Sequence, residues 1–204
     1  MWMTIASASL GTALGIPIGV FLATTKKNEL FACPWANVVV GFVANYFRAI
    51  PFIILAVAMM PFTRALVGSG ISITAAIVVL AIAATPFIAR LIETAIREVD
   101  QGLIEAARAY GASPLQIVFK VLIPEALPSI VLTITNATVA LIGYTAMVGA
   151  LGVGGLGQLA INHGYQQNKP ILTWTIVNMI VVIVVIVQYL GERLARRVNK
   201  RVRT

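Results

Sequence analysis

Few side chains in this sequence can do covalent or metal chemistry. Its 204 residues hold one histidine (His163), one cysteine (Cys33) and one aspartate (Asp100). A His-Glu-x-x-His zinc site, a thiolate cluster or an Asp-rich magnesium site each needs more such ligands than the chain has. The lone cysteine also excludes an internal disulfide. No lysine follows a glycine, so the phosphate-cradling Gly-x-x-x-x-Gly-Lys-Ser/Thr loop is absent. Gly152-Val153-Gly154-Gly155-Leu156-Gly157 matches Gly-x-Gly-x-x-Gly. No strand–turn–helix pattern surrounds it, so it reads as a turn beside an external loop rather than a dinucleotide site. What remains is adaptable rather than reactive. Tyr144 and Met147 lie one helical turn apart and offer a hydroxyl and a soft thioether on one face. Lining a solute pathway is one reading of that pair; packing within the chain or facing lipid is the other. Asn136, in the same stretch, reads as an interhelical hydrogen-bonding residue.

The elements that must carry these residues are membrane spans. Fifty-nine per cent of the chain is hydrophobic and 11% is charged. Soluble domains average about 45–50% apolar and about 25% charged residues. So few charges argue against a soluble enzyme, a disordered chain or a nucleic-acid-binding domain, despite the net charge of +8. Residues 1–25, 65–89, 126–168 and 170–191 carry no charge, and 30–63 carries only Arg48. A helix crosses the hydrocarbon core in about 20 apolar residues. Five spans follow, near 3–24, 37–60, 71–91, 128–149 and 171–190. Solidly apolar runs such as 176–187 lack the alternation a barrel needs. Pro17, Pro51 and Pro86 fall inside the first three spans, where a kink or local unwinding is expected. Gly11, Gly15 and Gly19 make a flat stripe for close helix approach, within the chain or between subunits.

Charge placement orients these spans. Lys26, Lys27, Arg90, Arg97, Arg108, Lys120, Arg193, Arg196, Arg197, Lys200, Arg201 and Arg203 fall on one side of a five-span chain. Arg64 and Lys169 fall on the other. The positive-inside rule puts the N-terminus outside and the C-terminus in the cytoplasm. The lysines follow the first span rather than precede it, unlike a cleaved signal. The basic tail suits anionic lipid better than nucleic acid. Arg48 reads as a snorkelling residue, His163 as a lone external histidine, and Cys33 as a thiol at the cytoplasmic edge.

The connection 92–127 is too long for a passive linker. Asp100 is placed as the N-cap of a short helix, 101–110, with Leu103, Ala107 and Tyr110 on one face. Gly111 reads as its stop. Ser113, Pro114 and Gln116 make a capping box with proline in the first helical position. Leu115, Val118 and Leu122 form the apolar stripe of the second helix, and Pro124 is expected to end it.

Glu105-Ala106-Ala107, three residues, Gly111, nine residues and Val121-Leu122-Ile123-Pro124 together resemble the EAA loop of ABC importer permeases. The family ending is usually Ile-x-Leu-Pro, so Val121 and Ile123 depart from it mildly. Phe47–Leu55, Ala84–Arg90 and Gly143–Gly152 are similar to the methionine-uptake subgroup. The resemblance implies an all-α integral-membrane chain of type I ABC importer permease fold, with five transmembrane helices and a cytoplasmic coupling helix. It implies a homodimer working with two cytoplasmic ATPase subunits, which bind the ATP and magnesium, and an extracytoplasmic methionine-binding protein. The solute would be methionine, D and L. The coupling loop would dock on the ATPase, with Gly111 setting the turn, Glu105 making a polar contact, and Ala106 and Ala107 forming a close-fitting face. Ser113, Pro114 and Pro124 complete that loop. Tyr144 and Met147 would lie where the fourth helix lines the pathway. Members of the subgroup also carry a short stretch ahead of the first span.

Three rivals stay open on the sequence. They are an importer permease for another amino acid or small zwitterion, an integral-membrane enzyme, and a channel or scaffold without an ATPase.

Overall fold

The computed structural model describes residues 1–27 and 29–199, and every regular element among them is helical. In chain order the helices are α1 (Trp2–Thr24), α2 (Pro34–Ala49), α3 (Phe52–Ala58), α4 (Met60–Val67), α5 (Ile73–Arg97), α6 (Gln101–Ala109), α7 (Pro114–Ile117), α8 (Ile123–Val148), α9 (Leu156–Leu159) and α10 (Pro170–Val198). Wide π turns occupy Val118–Leu122, Gly149–Val153 and Ala160–Tyr165. Of the basic tail, Lys200, Arg201 and Arg203 lie outside the described residues.

Helices α1, α5, α10 and the continuous stretch Pro114–Val153 are each long and apolar enough to cross a bilayer. The second expected span is different. Helices α2 and α3 reach the required length only as a pair, bent by 100°. The cause is local. Pro51 has no N–H, and its ring drives Ile50 out of the helical region to φ −77°, ψ 124°. Pro17 and Pro86 lie within α1 and α5 without ending either helix.

Helix α5 is the centre of the molecule. Ser72 caps it, its hydroxyl accepting from the Ala75 N–H at 3.1 Å. Leu80, Ile88, Ala89 and Ile92 on it are completely buried. The glycine stripe of α1 packs against it. A Cβ on Gly11 would fall 2.8 Å from Ala84 Cβ, and one on Gly19 would fall 2.6 Å from the Ala89 carbonyl oxygen. Gly11, Gly15 and Gly19 therefore serve packing within the chain. Lipid tails are as apolar as leucine, so close backbone approach replaces the hydrophobic effect as the source of such adhesion. The same device seats α10, where Gly191 lies against the Thr135 side chain of α8. Elsewhere α10 is open, with Ile176, Gly191 and Ala195 its only buried residues among those described.

Candidate functional site

Between α5 and the fourth span, the chain forms a hairpin fixed by its own turn chemistry. The Asp100 carboxylate accepts from the Gly102 N–H at 2.7 Å and starts α6. At the far end, the Gly111 N–H donates to the Arg108 carbonyl at 2.9 Å and the Ala112 N–H to the Ala107 carbonyl at 3.0 Å. This paired closure requires a left-handed residue, and Gly111 supplies φ +80°. A Cβ there would meet nothing within 4 Å, so the constraint is conformational and not steric. Two residues on, the Ser113 N–H donates to Gln116 Oε1 at 2.8 Å and the Gln116 N–H donates to Ser113 Oγ at 3.4 Å. Pro114 fills the first turn of α7.

The buried face of this hairpin differs in part from the expected one. Ile104 turns inward on α6, with Ala107 half-buried, while Leu103 and Tyr110 are exposed, Tyr110 by 93%. On the second arm Ile117, Val118 and Leu122 are buried and Leu115 is exposed. Val118, Leu122 and, in part, Ala107 face inward as the pattern predicts, while Ile104 and Ile117 take the inward places expected of Leu103, Tyr110 and Leu115, packing into the same core cluster as Val99. Pro124 does not end the second helix. The Ile123 N–H donates to the Val118 carbonyl five residues back, and this wider turn lets the chain run through the proline into α8. Glu105, Ala106, Gly111, Ser113, Pro114 and Pro124 are exposed. The outer hairpin surface thus combines the Glu105 carboxylate, small residues and the bare Tyr110 ring. Exposed apolar surface of this kind is what a partner protein covers.

The fourth span separates the two pathway candidates. Tyr144 is half-buried and its ring stacks on Phe52 at the start of α3, with centroids 4.5 Å apart and planes 8° apart. Met147 is 48% exposed and lies on an open face of α8 with Leu132, Asn136 and Gly143. The Asn136 side chain is exposed on that face and has no hydrogen bond to another helix of its own chain among the described residues. Arg48 is exposed on the last turn of α2, where the helix carbonyls favour a cation. The Gly152–Gly157 segment is a turn. Gly152, Gly154 and Gly155 adopt φ of 95°, 112° and 87°, and Gly157 sits directly on the Ala146 backbone. His163 is exposed in the π turn Ala160–Tyr165, and no three His, Cys, Asp or Glu side chains converge among the described residues.

One polar cluster escaped the sequence reading. Arg90 and Arg97 enter the charge pattern only as topology markers, yet both lie on α5, on either side of the buried Glu93. The spacing of Arg90, Glu93 and Arg97 places all three on one helix face and was the available signal.

The model of the binding-protein-dependent transport system inner membrane component family matches residues 15–204. The chain belongs to that family. It is 47% identical over 201 residues to the probable D-methionine transport system permease protein MetI of Vibrio cholerae, covering 98% of this chain and 89% of that one. It is 45% identical over 180 residues to the methionine import system permease protein MetP of Bacillus subtilis, covering 88% and 81%. Among solved structures, an inward-facing form of the MetNI methionine ABC transporter superposes with a TM-score of 0.94. That match is at 45% identity and covers 97% of this chain and 92% of that chain. The fold is that of a type I ABC importer permease, and the membership makes this chain an inner-membrane transport component.

Proposed function

We propose that this chain is the membrane-spanning subunit of an ATP-driven importer of D- and L-methionine. It acts as a homodimer with two cytoplasmic ATPase subunits and an extracytoplasmic methionine-binding protein. The N-terminus lies outside and the C-terminus in the cytoplasm, as the lysine and arginine bias requires. The observation that carries the reading is the hairpin. Its turns are set by Asp100, Gly111 and the Ser113–Gln116 box, and its inner face packs on the core through Ile104 and Ile117. Its outer face, with Glu105, Ala106 and Tyr110, is left uncovered by the chain itself. The substrate assignment rests on relatives named for methionine transport.

In this reading ATP and magnesium sit on the ATPase. Glu105 makes a polar contact there and the small, exposed Ala106 allows close approach, while Ala107 lets α6 sit close on the core. Gly111, Ser113, Pro114 and Pro124 hold the hairpin in its docking shape. ATPase closure moves the hairpin, and the helices follow. The pathway opens outward in the ATP-bound state and inward otherwise, because the ATPase contacts the two states differently. Met147, on the open face of α8, supplies soft apolar surface suited to a thioether substrate, and Tyr144 braces that helix against α3. Arg193, stacked 4.5 Å over the Tyr189 ring, and Arg196 and Arg197 meet anionic headgroups where α10 leaves the bilayer.

The test is uptake of labelled methionine by proteoliposomes holding the dimer, its ATPase and its binding protein. Competition by unlabelled D- and L-methionine, with no competition by other amino acids, is the expected result. Uptake competed equally by other amino acids would assign a different substrate.

A further inference from the structure

Helix α5 ends in a buried polar clasp that joins three helices. Glu93 is only 5% exposed, in a chain with seven acidic residues. Its Oε2 lies 2.7 Å from Arg90 Nη1 and its Oε1 lies 2.8 Å from Arg97 Nη2. Each arginine then reaches a different helix. Arg90 Nη2 donates to the Gly41 carbonyl of α2 at 2.6 Å, and Arg97 Nη2 donates to the Leu22 carbonyl of α1 at 3.4 Å. The Leu22 carbonyl also accepts from Asn37 Nδ2 of α2 at 2.7 Å, and the same amide reaches Thr25 Oγ1 at 3.0 Å. Gly41 is open for this purpose, since a Cβ there would fall 2.8 Å from Arg90 Nη2.

Two features distinguish this arrangement from a plain staple. It stands at the root of the hairpin, because α6 begins at Gln101, four residues after Arg97. It also has slack on one side only, because the Arg97 contact with α1 is long at 3.4 Å while Arg90 is held by contacts of 2.7 and 2.6 Å. Buried ionisable groups at membrane helices are costly and mark function more often than fold. We propose that Arg90, Glu93 and Arg97 are positioning residues that make the base of α5 a transmission joint. A displacement of the hairpin carries the end of α1 and the first half of α2 with it, and the tight Arg90 side moves as a unit while the Arg97 side can shift. This rests on the ATPase-docking reading of the hairpin.

The experiment uses the full-length protein and compares the wild type with Arg97→Gln, Arg97→Lys and Glu93→Gln. Glu93→Gln strands two arginines and can misfold; Arg97 is 35% exposed, so its replacement keeps the test available. Two quantities are read: amide hydrogen exchange, and methionine taken up per ATP hydrolysed in the reconstituted complex. In Arg97→Gln, exchange is expected to quicken together at residues 20–25, 37–41 and 98–112. Uptake per ATP should fall about fivefold or more, the low end of allosteric coupling. ATPase co-purification is retained, and Arg97→Lys recovers part of the ratio. An unchanged ratio, or exchange confined to the neighbourhood of residue 97, would overturn the proposal. A wild-type complex that imports no methionine would instead refute the proposed substrate, and the clasp would still stand or fall on the exchange pattern.

Discussion

The hairpin between α5 and α8 and the open face of α8 sit on one continuous stretch of chain but are held in opposite ways. In the hairpin each reversal has its own internal hydrogen bonds, with the Gly102 N–H donating to Asp100, the Gly111 N–H to Arg108 and the Ser113 N–H to Gln116. Its shape needs no partner. Along α8, Leu132, Asn136, Gly143 and Met147 form an exposed face, with Leu132 and Met147 each about half covered by their own helix and neighbours. That face is left for a second copy, solute or lipid. The contrast separates a rigid handle from an adaptable wall, and a transport subunit needs both.

Substitutions can break this contrast, and the largest effect is expected at Gly111. Gly111→Val forces a β-branched residue into φ +80°. Left-handed backbone costs a non-glycine residue about 1–2 kcal/mol, and β-branching adds to it. We expect loss of ATPase co-purification and of ATP-driven uptake, with the membrane helices still assembled in detergent. Normal co-purification would show that the hairpin is less rigid than its hydrogen bonds imply. A smaller effect is expected for Ser113→Ala. Removing an N-cap hydroxyl costs about 1 kcal/mol, so amide exchange over residues 113–117 should quicken while docking persists. Unaltered exchange would mean that Pro114 alone holds that turn. The smallest structural effect is expected at Met147. Met147→Ala leaves thermal stability in detergent nearly unchanged, because the side chain is half exposed, but alters uptake kinetics. A large drop in stability would place Met147 in the packed part of the molecule instead.

The caps were legible in the sequence because they are local: Asp100, Gly111, Ser113, Pro114 and Gln116 act within five residues of themselves. The apolar spans were legible because charges are nearly absent from them. Proline was harder to read. Pro51 breaks a helix, Pro17 and Pro86 sit within helices, and Pro124 is absorbed by a π turn. The residue is the same each time, but the backbone before it differs: Ile50 leaves the helical region ahead of Pro51, whereas Ile123 stays helical ahead of Pro124 by bonding five residues back. The inward face of the hairpin was legible in part: Val118 and Leu122 are buried as their spacing predicts, whereas Ile104 and Ile117 are selected by core contacts that periodicity does not carry. Glu93 was missed for another reason. Reading arginines only as topology markers hides an acidic residue seated between two of them.

The central claim is that an outside motor drives this chain through the hairpin. Its direct test is labelled-solute uptake by proteoliposomes holding the wild-type dimer and its binding protein, with the ATPase present or left out. Uptake that falls to the level of empty vesicles without the ATPase, and returns when it is added with ATP, is the predicted result. Equal rates with and without it would contradict the account.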